Sequence, residues 1–304
     1  MVIHSSMQPQ VKGAQPAFSF RQLKVLPFGS RGEKWLFLMR KRQFVVMPTD
    51  MSPEDFHLLV RLHYSYKAVV GSAHTRQQRM IDQDVDRTFQ QLQSFQARPK
   101  QGGMRIKSTP TASEFLTWKA TTHQLLSVFL FLKPQIGYCQ GMTYLAATLV
   151  YESKLNNETA FRLFVGLTEK YKMDHVFGPE MKDINLRFFQ LDEALRLHLP
   201  RLHAHLSDHD VHPATYASSW ILTLFTDGKL LPHRTVLVFL DMFFDVGWKA
   251  FFQICLAIFS ILEGKLEVDQ FFAKARSFKI TSTFLDHLVG EFSTEASLSI
   301  TEYD

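Results

Sequence analysis

Two buried helices and the loop between them are predicted by residues 125–151, which read LLSVFLFLKPQIGYCQGMTYLAATLVY. The first apolar run must end before Pro134, because proline lacks a backbone N–H and disfavours helical geometry in the residue before it. The second run starts at Met142 and continues to Tyr151 at helical spacing. Both runs are apolar on most sides, so we expect the two helices to lie in the core.

The connection between these helices carries the tripeptide Tyr138-Cys139-Gln140, bracketed by Gly137 and Gly141. Glycines at such positions let another backbone or a nucleotide come close. Apolar helices on both sides fix the loop, so the Gln140 amide is placed accurately. The alternative is a tight interhelical turn in which Tyr138 only packs, and these residues alone favour that simpler interpretation.

Helical patterns recur along most of the chain. Ser52-Pro53-Glu54-Asp55 is typical of a helix start, with a serine cap, proline in the first turn and carboxylates facing the helix dipole. Apolar residues repeat at helical spacing in residues 56–63, 161–165 and 251–258. The sequence therefore predicts an all-α fold.

Two segments depart from this pattern. Trp35–Met39 and Phe44–Met47 predict a β-hairpin around Arg40-Lys41-Arg42-Gln43, although short apolar runs do not distinguish strand from helix. The longest predicted loop is Gln96–Ser113, with two adjacent glycines and a proline, and we expect it to be a surface insertion that touches a partner.

A second cluster, Ile81-Asp-Gln-Asp84-Val-Asp-Arg87, lies on a predicted helix over residues 81–92. Arg87 points away from an apolar stripe on this helix, which consists of Ile81, Val85, Phe89 and Leu92. Asp84 is three residues before Arg87, so its carboxylate can hold the guanidinium outward. Taken alone, the cluster is better interpreted as a surface ion pair worth under about 1 kcal/mol.

Composition places broad limits on the class of protein. The chain has 304 residues, 46% of them apolar and 28 of them Phe, which is enough for a substantial core in one large domain or in two tightly joined halves. The net charge is +5, and the basic residues are scattered apart from Arg40-Lys41-Arg42. Nucleic-acid binders more often concentrate such charge on one face. A modest basic bias suits an acidic protein partner or an anionic membrane surface equally well.

Cysteine content and hydropathy predict a cytosolic protein without a membrane span. Cys139 and Cys255 are too few for a disulfide framework or a cysteine-rich zinc site. The most apolar late stretch, residues 236–262, is interrupted by Asp241, Asp245 and Lys249. The first thirty residues hold no apolar block long enough for a signal peptide.

Two further patterns favour ordinary structural interpretations. Five histidines occur between residues 198 and 212, with His205 and His209 spaced i, i+4, but no neighbouring carboxylate pattern resembles a zinc-protease helix, so no metal site is predicted. Arg40-Lys41-Arg42 lies beside aromatic residues and is better interpreted as a solvated turn than as a lipid contact. Cys139 has no evident histidine base and is not predicted to be a nucleophile.

An arginine and a glutamine together suit one chemistry in particular. Hydrolysis of a nucleoside triphosphate spreads negative charge over the transferred phosphoryl group and needs an oriented water. Arg87 can neutralise that charge, and the Gln140 amide can both accept from the water and donate to a phosphate oxygen. The sequence contains no phosphate-binding loop, so such a site would act on the nucleotide of another protein.

At these residues the chain resembles the TBC-domain family of GTPase-activating proteins for Rab small GTPases. Arg87 falls on the family's Ile-x-x-Asp-x-x-Arg motif and Gln140 on its Tyr-x-Gln motif. The remaining matches follow in order over residues 26–262, and they are Leu26-Pro27, Arg31-Gly32-Glu33-x-Trp35, Pro200-x-Leu202-x-x-His205-Leu206, Trp220-Ile-Leu-Thr-Leu-Phe225, Asp241 and Gly247. This ordered set is more specific than either motif alone.

The resemblance implies an all-α, two-lobed, V-shaped domain that supplies two catalytic residues to a GTP-bound Rab. Arg87 would stabilise the transition state and Gln140 would orient the attacking water in place of the GTPase's own glutamine. Asp84 would support Arg87, and Tyr138 would shape the site. The resemblance gives structural roles to four further residues, Arg31, Trp35, Trp220 and Asp241. The chain would have no cofactor of its own, because GTP and Mg²⁺ belong to the partner.

The chain departs from the family pattern at three points. The family often shows Arg-x-Trp-Asp before its late aspartate, whereas this chain has Val238-Phe239-Leu240-Asp241, so the resemblance does not define what pairs with Asp241. The segment between the two motifs is longer than usual, and Val25 stands where a glycine is usual. We expect a loose extension over residues 1–24, a TBC domain over 25–265 and a helical tail over 266–304.

Three functions from different classes follow. The leading one is activation of GTP hydrolysis by a Rab, which would place the chain in vesicle trafficking, in the cytoplasm and peripherally on endomembranes. The second is a catalytically silent module that binds a Rab. The third is a basic helical protein that binds nucleic acid or membrane through charge, and the scattered charge makes it the weakest.

Overall fold

The computed structural model describes residues 29–40, 51–70, 76–97, 110–179, 182–262 and 271–301. These residues form fourteen helices and no strand, which confirms the all-α class. In chain order the helices are α1 (Arg31–Arg40), α2 (Pro53–Val70), α3 (Arg76–Ala97), α4 (Ala112–Leu132), α5 (Met142–Glu152), α6 (Asn157–Lys170), α7 (Met173–Phe177), α8 (Lys182–His198), α9 (Pro200–Asp208), α10 (Pro213–Thr223), α11 (His233–Val246), α12 (Trp248–Leu262), α13 (Phe271–Ser277) and α14 (Ser282–Thr301).

Side-chain caps explain where several helices begin. At α4 the Thr111 hydroxyl accepts a hydrogen bond from the Glu114 amide at 3.1 Å, and the Glu114 carboxylate accepts one from the Thr111 amide at 2.7 Å. At α2 the Ser52 hydroxyl accepts from the Asp55 amide at 3.1 Å, and the Asp55 carboxylate accepts from the Ser52 amide at 3.2 Å. These reciprocal pairs satisfy N–H groups that a helix start leaves free. The helix start predicted at Ser52-Pro53 is confirmed.

The helices pack in two groups that share one hydrophobic core. In the first group α4 packs against α2, α3, α5 and α6, and α1 packs against α5 and α6. In the second group α8 packs against α9, α10, α12 and α14. Helix α11 contacts both α1 and α12, and α10 also contacts α5, so the two groups are continuous. Every side chain of α12 from Phe251 to Phe259 is buried, which explains its almost uninterrupted apolar sequence.

The predicted hairpin is wrong for its first strand. Residues 35–39 belong to α1, where Trp35, Leu36, Leu38 and Met39 are buried against α6 and α11. These four residues cover a wide buried face of the helix. An apolar run of five residues does not by itself distinguish such a helix from a strand. The second predicted strand, Phe44–Met47, lies outside the described residues, as do the extension 1–24 and most of the predicted loop at 98–109.

Residues on either side of position 265 share the core. Phe271, Ala275, Phe278 and Ile280 are buried in the same cluster as α12, and the Gln253 side chain donates a hydrogen bond to the Phe278 carbonyl at 2.9 Å. Helices α13 and α14 therefore pack against the rest of the domain. None of the described helices is both long enough and apolar enough to span a bilayer.

Candidate functional site

Arg87 projects from α3 into solvent, with 60% of its side chain exposed. Its guanidinium forms an ion pair with Asp84 Oδ1, one turn earlier on the helix. Asp84 is buried, so packing fixes the carboxylate. Because the carboxylate is fixed, it restrains the guanidinium that it holds while leaving part of that group accessible.

Tyr138 joins the Arg87 helix to the loop that carries Gln140. Its buried hydroxyl donates a hydrogen bond to Asp84 Oδ2 at 2.6 Å and lies 2.8 Å from the Thr143 hydroxyl. Burial raises the pKa of Tyr138 above its ordinary value, so the phenol remains protonated and able to donate at neutral pH. Arg87, Asp84 and Tyr138 thus form one chain of polar contacts across 54 residues of sequence.

Gln140 is exposed, and two glycines set the course of its loop. Gly137 and Gly141 have φ angles of 73° and 108°, which side-chain-bearing residues rarely adopt. A Cβ at Gly137 would lie 2.8 Å from Gln77 Nε2, and one at Gly141 would lie 3.3 Å from Thr223 Cγ2. We expected another backbone or a nucleotide to come close to these glycines. The space beside them is instead occupied by α3 and α10 of the chain itself.

Cys139 lies inside the loop but is buried, and its thiol lies 3.6 Å from the Gln140 carbonyl oxygen. Burial raises the pKa of its thiol to about 11, so the thiol is protonated at neutral pH. A protonated thiol is a poor nucleophile. Across the part of the chain that the structure describes, no group of three or more His, Cys, Asp or Glu side chains is arranged to hold a metal ion.

A second polar cluster surrounds the buried carboxylate of Asp241 on α11. Its Oδ2 accepts from Lys34 Nζ at 2.7 Å and from Arg31 at 3.2 Å, and its Oδ1 accepts from Trp35 Nε1 at 2.8 Å. Arg31 also donates to the Leu237 carbonyl at 3.1 Å. Three residues of α1 thus converge on one carboxylate from more than 200 positions away in sequence.

This cluster extends to the end of α5. Arg31 Nε lies 3.5 Å from Glu152, whose other oxygen lies 3.4 Å from His233. Close packing supports the contact, since a Cβ at Gly32 would lie 2.2 Å from the Ser153 hydroxyl. The Asp241 cluster therefore joins α1, α5 and α11, and α5 begins at Met142, two residues after Gln140.

Trp220, the remaining predicted residue, lies apart from both clusters. It is half-buried on α10 and packs against Tyr216, Phe225 and Phe259, with ring centroids 5.3 to 5.9 Å apart. Helix α10 ends at Thr223, the residue in contact with Gly141. Trp220 thus helps to hold the helix against which the Gln140 loop packs.

Two contacts in and around the candidate site were not predicted from the sequence. Lys34 is the nearest cation to Asp241. Its position three residues after Arg31 was the sequence feature from which this contact could have been predicted. Tyr144 donates a hydrogen bond to Gln91 Oε1 at 2.6 Å and forms a second contact between α3 and α5. No spacing rule pairs residues 53 positions apart, so this contact required the structure.

Comparison with known proteins identifies a family. Residues 119–267 match the model of the Rab-GTPase-TBC domain, a span that includes Gln140 and follows Arg87. The chain is 26% identical over 272 residues to the Caenorhabditis elegans "Rab GTPase-activating protein tbc-11", covering 90% of this chain and 25% of that protein. It is 27% identical over 237 residues to human "TBC1 domain family member 1", covering 77% of this chain and 18% of that protein.

A solved structure has the same fold. The Chlamydomonas flagellar RabGAP TBC domain aligns with a TM-score of 0.54 and 19% identity over 90% of this chain and 84% of that one. The chain spans a quarter or less of the length of the curated relatives that it matches. Because the family model, these relatives and the shared all-α fold agree, the chain belongs to the TBC-domain family of Rab GTPase-activating proteins.

Proposed function

We propose that this chain accelerates GTP hydrolysis by a Rab-type small GTPase and that Arg87 and Gln140 are the residues it supplies. The observation that carries the proposal is the hydrogen bond from Tyr138 to Asp84. This bond ties the helix of an exposed arginine to the loop of an exposed glutamine, two residues after the tyrosine. A site of this kind can present both side chains to one phosphate.

Arg87 would stabilise the transition state. In phosphoryl transfer the charge spreads over the equatorial oxygens, and a guanidinium can bind two of them at once. The Asp84 carboxylate restrains Arg87 at the helix surface before the partner arrives. Less side-chain entropy is then lost when the arginine enters the nucleotide site.

Gln140 would orient the water. Its carbonyl oxygen can accept a hydrogen bond from the attacking water while its amide donates to a phosphate oxygen. In this role it replaces the GTPase's own glutamine. The GTP and the Mg²⁺ that bridges its phosphates belong to the partner, which must be in the GTP state. Such an activity would act in vesicle trafficking, with the chain recruited from the cytoplasm to endomembranes.

Single-turnover GTP hydrolysis across a panel of GTP-loaded Rab proteins tests the proposal. We expect the chain to accelerate hydrolysis by one or a few members, and Gln140→Ala to lower that acceleration by about 10²- to 10³-fold, as loss of a transition-state hydrogen-bond donor does. Gln135→Ala is the matched control, because Gln135 is an exposed glutamine in the same loop.

Two outcomes would contradict the proposal. A chain that binds a GTP-loaded Rab but accelerates no member of the panel is a catalytically silent binding module. A chain whose activity is the same in the wild type and in Gln140→Ala does not use this glutamine.

A further inference from the structure

The structure assigns a positioning role to the Tyr144–Gln91 pair: it sets the register of the Arg87 helix against the helix that follows Gln140. The inference rests on the proposed function and deepens it. Neither residue belongs to the two motifs that carry Arg87 and Gln140. Two tyrosines contact the Arg87 helix, one before the arginine and one after it along the helix.

The two tyrosines hold the same face of α3 on either side of Arg87. Tyr138 donates to Asp84, three residues before the arginine, at 2.6 Å. Tyr144 donates to Gln91, four residues after it, at 2.6 Å. At about 100° per residue, Asp84 and Gln91 lie about 60° and 40° from Arg87 around the helix. Both hydrogen bonds therefore act on the strip of the helix surface that includes Arg87.

Tyr144 is built into α5 rather than into the loop. It lies in the first turn of that helix, four residues after Gln140, and its ring is half-buried. A side chain on a buried helix is held more rigidly than one on a loop, so Tyr144 can restrain α3 more firmly than a loop residue could.

Loss of each of the two hydrogen bonds would have a different consequence. The Tyr138 contact holds the carboxylate that pairs with Arg87, so its loss would disturb the ion pair directly. The Tyr144 contact touches neither Arg87 nor Asp84. It restrains rotation and sliding of α3 relative to α5, which decides how far the arginine lies from the glutamine. A displacement of about 1 Å in a reacting group can lower a rate about 10²-fold.

The test combines Tyr144→Phe with Gln91→Met, which removes the acceptor while keeping a long side chain. In GTP hydrolysis with a responsive Rab, we expect each variant to lower kcat by about tenfold, within the range that small misplacements cause. KM should change less than twofold, because the role proposed for the pair is to position Arg87 and not to contact the Rab. The double variant should lose no more than the more strongly affected single variant, since both changes remove the Tyr144–Gln91 bond.

A control and a second readout separate this inference from the proposed function. Tyr151→Phe removes a hydroxyl from the same helix while its ring still packs on Trp118, and we expect it to retain wild-type kcat. Hydrogen exchange needs no GTPase: the amides of residues 84–91 should exchange about fivefold faster in Tyr144→Phe, as loss of one hydrogen bond predicts.

The outcomes decide between the two claims. If the wild-type chain activates no Rab, the proposed function fails. The hydrogen-exchange rates alone then decide whether the Tyr144–Gln91 bond restrains α3. If the wild-type chain is active and Tyr144→Phe shows normal kcat, the positioning role is wrong. Unchanged exchange in residues 84–91, or additive losses in the double variant, would also overturn it.

Discussion

Replacement of Arg87 by alanine is expected to abolish activation of GTP hydrolysis. An arginine supplied in trans to a GTPase is worth about 10³- to 10⁵-fold in rate, equivalent to about 4 to 7 kcal/mol of transition-state stabilisation. Arg87→Lys should recover little of this activity, because an ammonium group cannot bind two phosphate oxygens in the planar geometry of a guanidinium. Single-turnover hydrolysis with a responsive Rab measures both losses.

The fold should survive the change, which makes the result interpretable. Arg87 is exposed, and the buried Asp84 keeps its hydrogen bond from Tyr138. Arg79→Ala is the matched control, since Arg79 is an exposed arginine on the same helix. Activity of Arg87→Ala within tenfold of the wild type, with Arg79→Ala unchanged, would show that the arginine is not the catalytic one.

Replacement of Asp241 by alanine is expected to be among the most destabilising changes in the chain. Removing one partner of a buried charge cluster costs about 3 to 5 kcal/mol, because the charges left behind lose their compensation. Arg31, Lys34 and the Trp35 indole would all lose their carboxylate acceptor on α11, although Arg31 would keep its hydrogen bond to the Leu237 carbonyl. In domains of about this size, each kcal/mol lowers Tm by about 2 to 4 °C.

Asp86→Ala provides the comparison for this prediction. Asp86 also pairs with a lysine from another helix, Lys119, at 2.7 Å, but 60% of its side chain is exposed. Exposed ion pairs contribute about 0 to 1 kcal/mol. Chemical denaturation of both variants should therefore separate them clearly. Equal losses of unfolding free energy would mean that the Asp241 cluster contributes no more than a surface pair.

Local periodicity predicted the helix that carries Arg87. Ile81, Val85 and Phe89 were expected on one apolar stripe, and all three are buried. The end of α4 before Pro134 and the start of α5 at Met142 were also predictable, because proline geometry and apolar spacing act over a few residues. Short-range rules were sufficient for the elements on which the candidate site lies.

Long-range contacts were beyond such rules. The partners of Asp241 come from α1, 206 to 210 positions away, and no pattern within either helix specifies that pairing. The hydrogen bond between Tyr144 and Gln91 is of the same kind. The error over residues 35–39 has a related cause, because burial against other helices determines whether so short an apolar run is helix or strand.

The most direct test of the central claim uses a responsive Rab whose own catalytic glutamine has been replaced by leucine. If Gln140 orients the attacking water, the wild-type chain should still accelerate GTP hydrolysis by this Rab variant, and Gln140→Ala should not. If the wild-type chain accelerates only the unmodified Rab, the water is oriented by the GTPase, and the assignment of Gln140 is wrong.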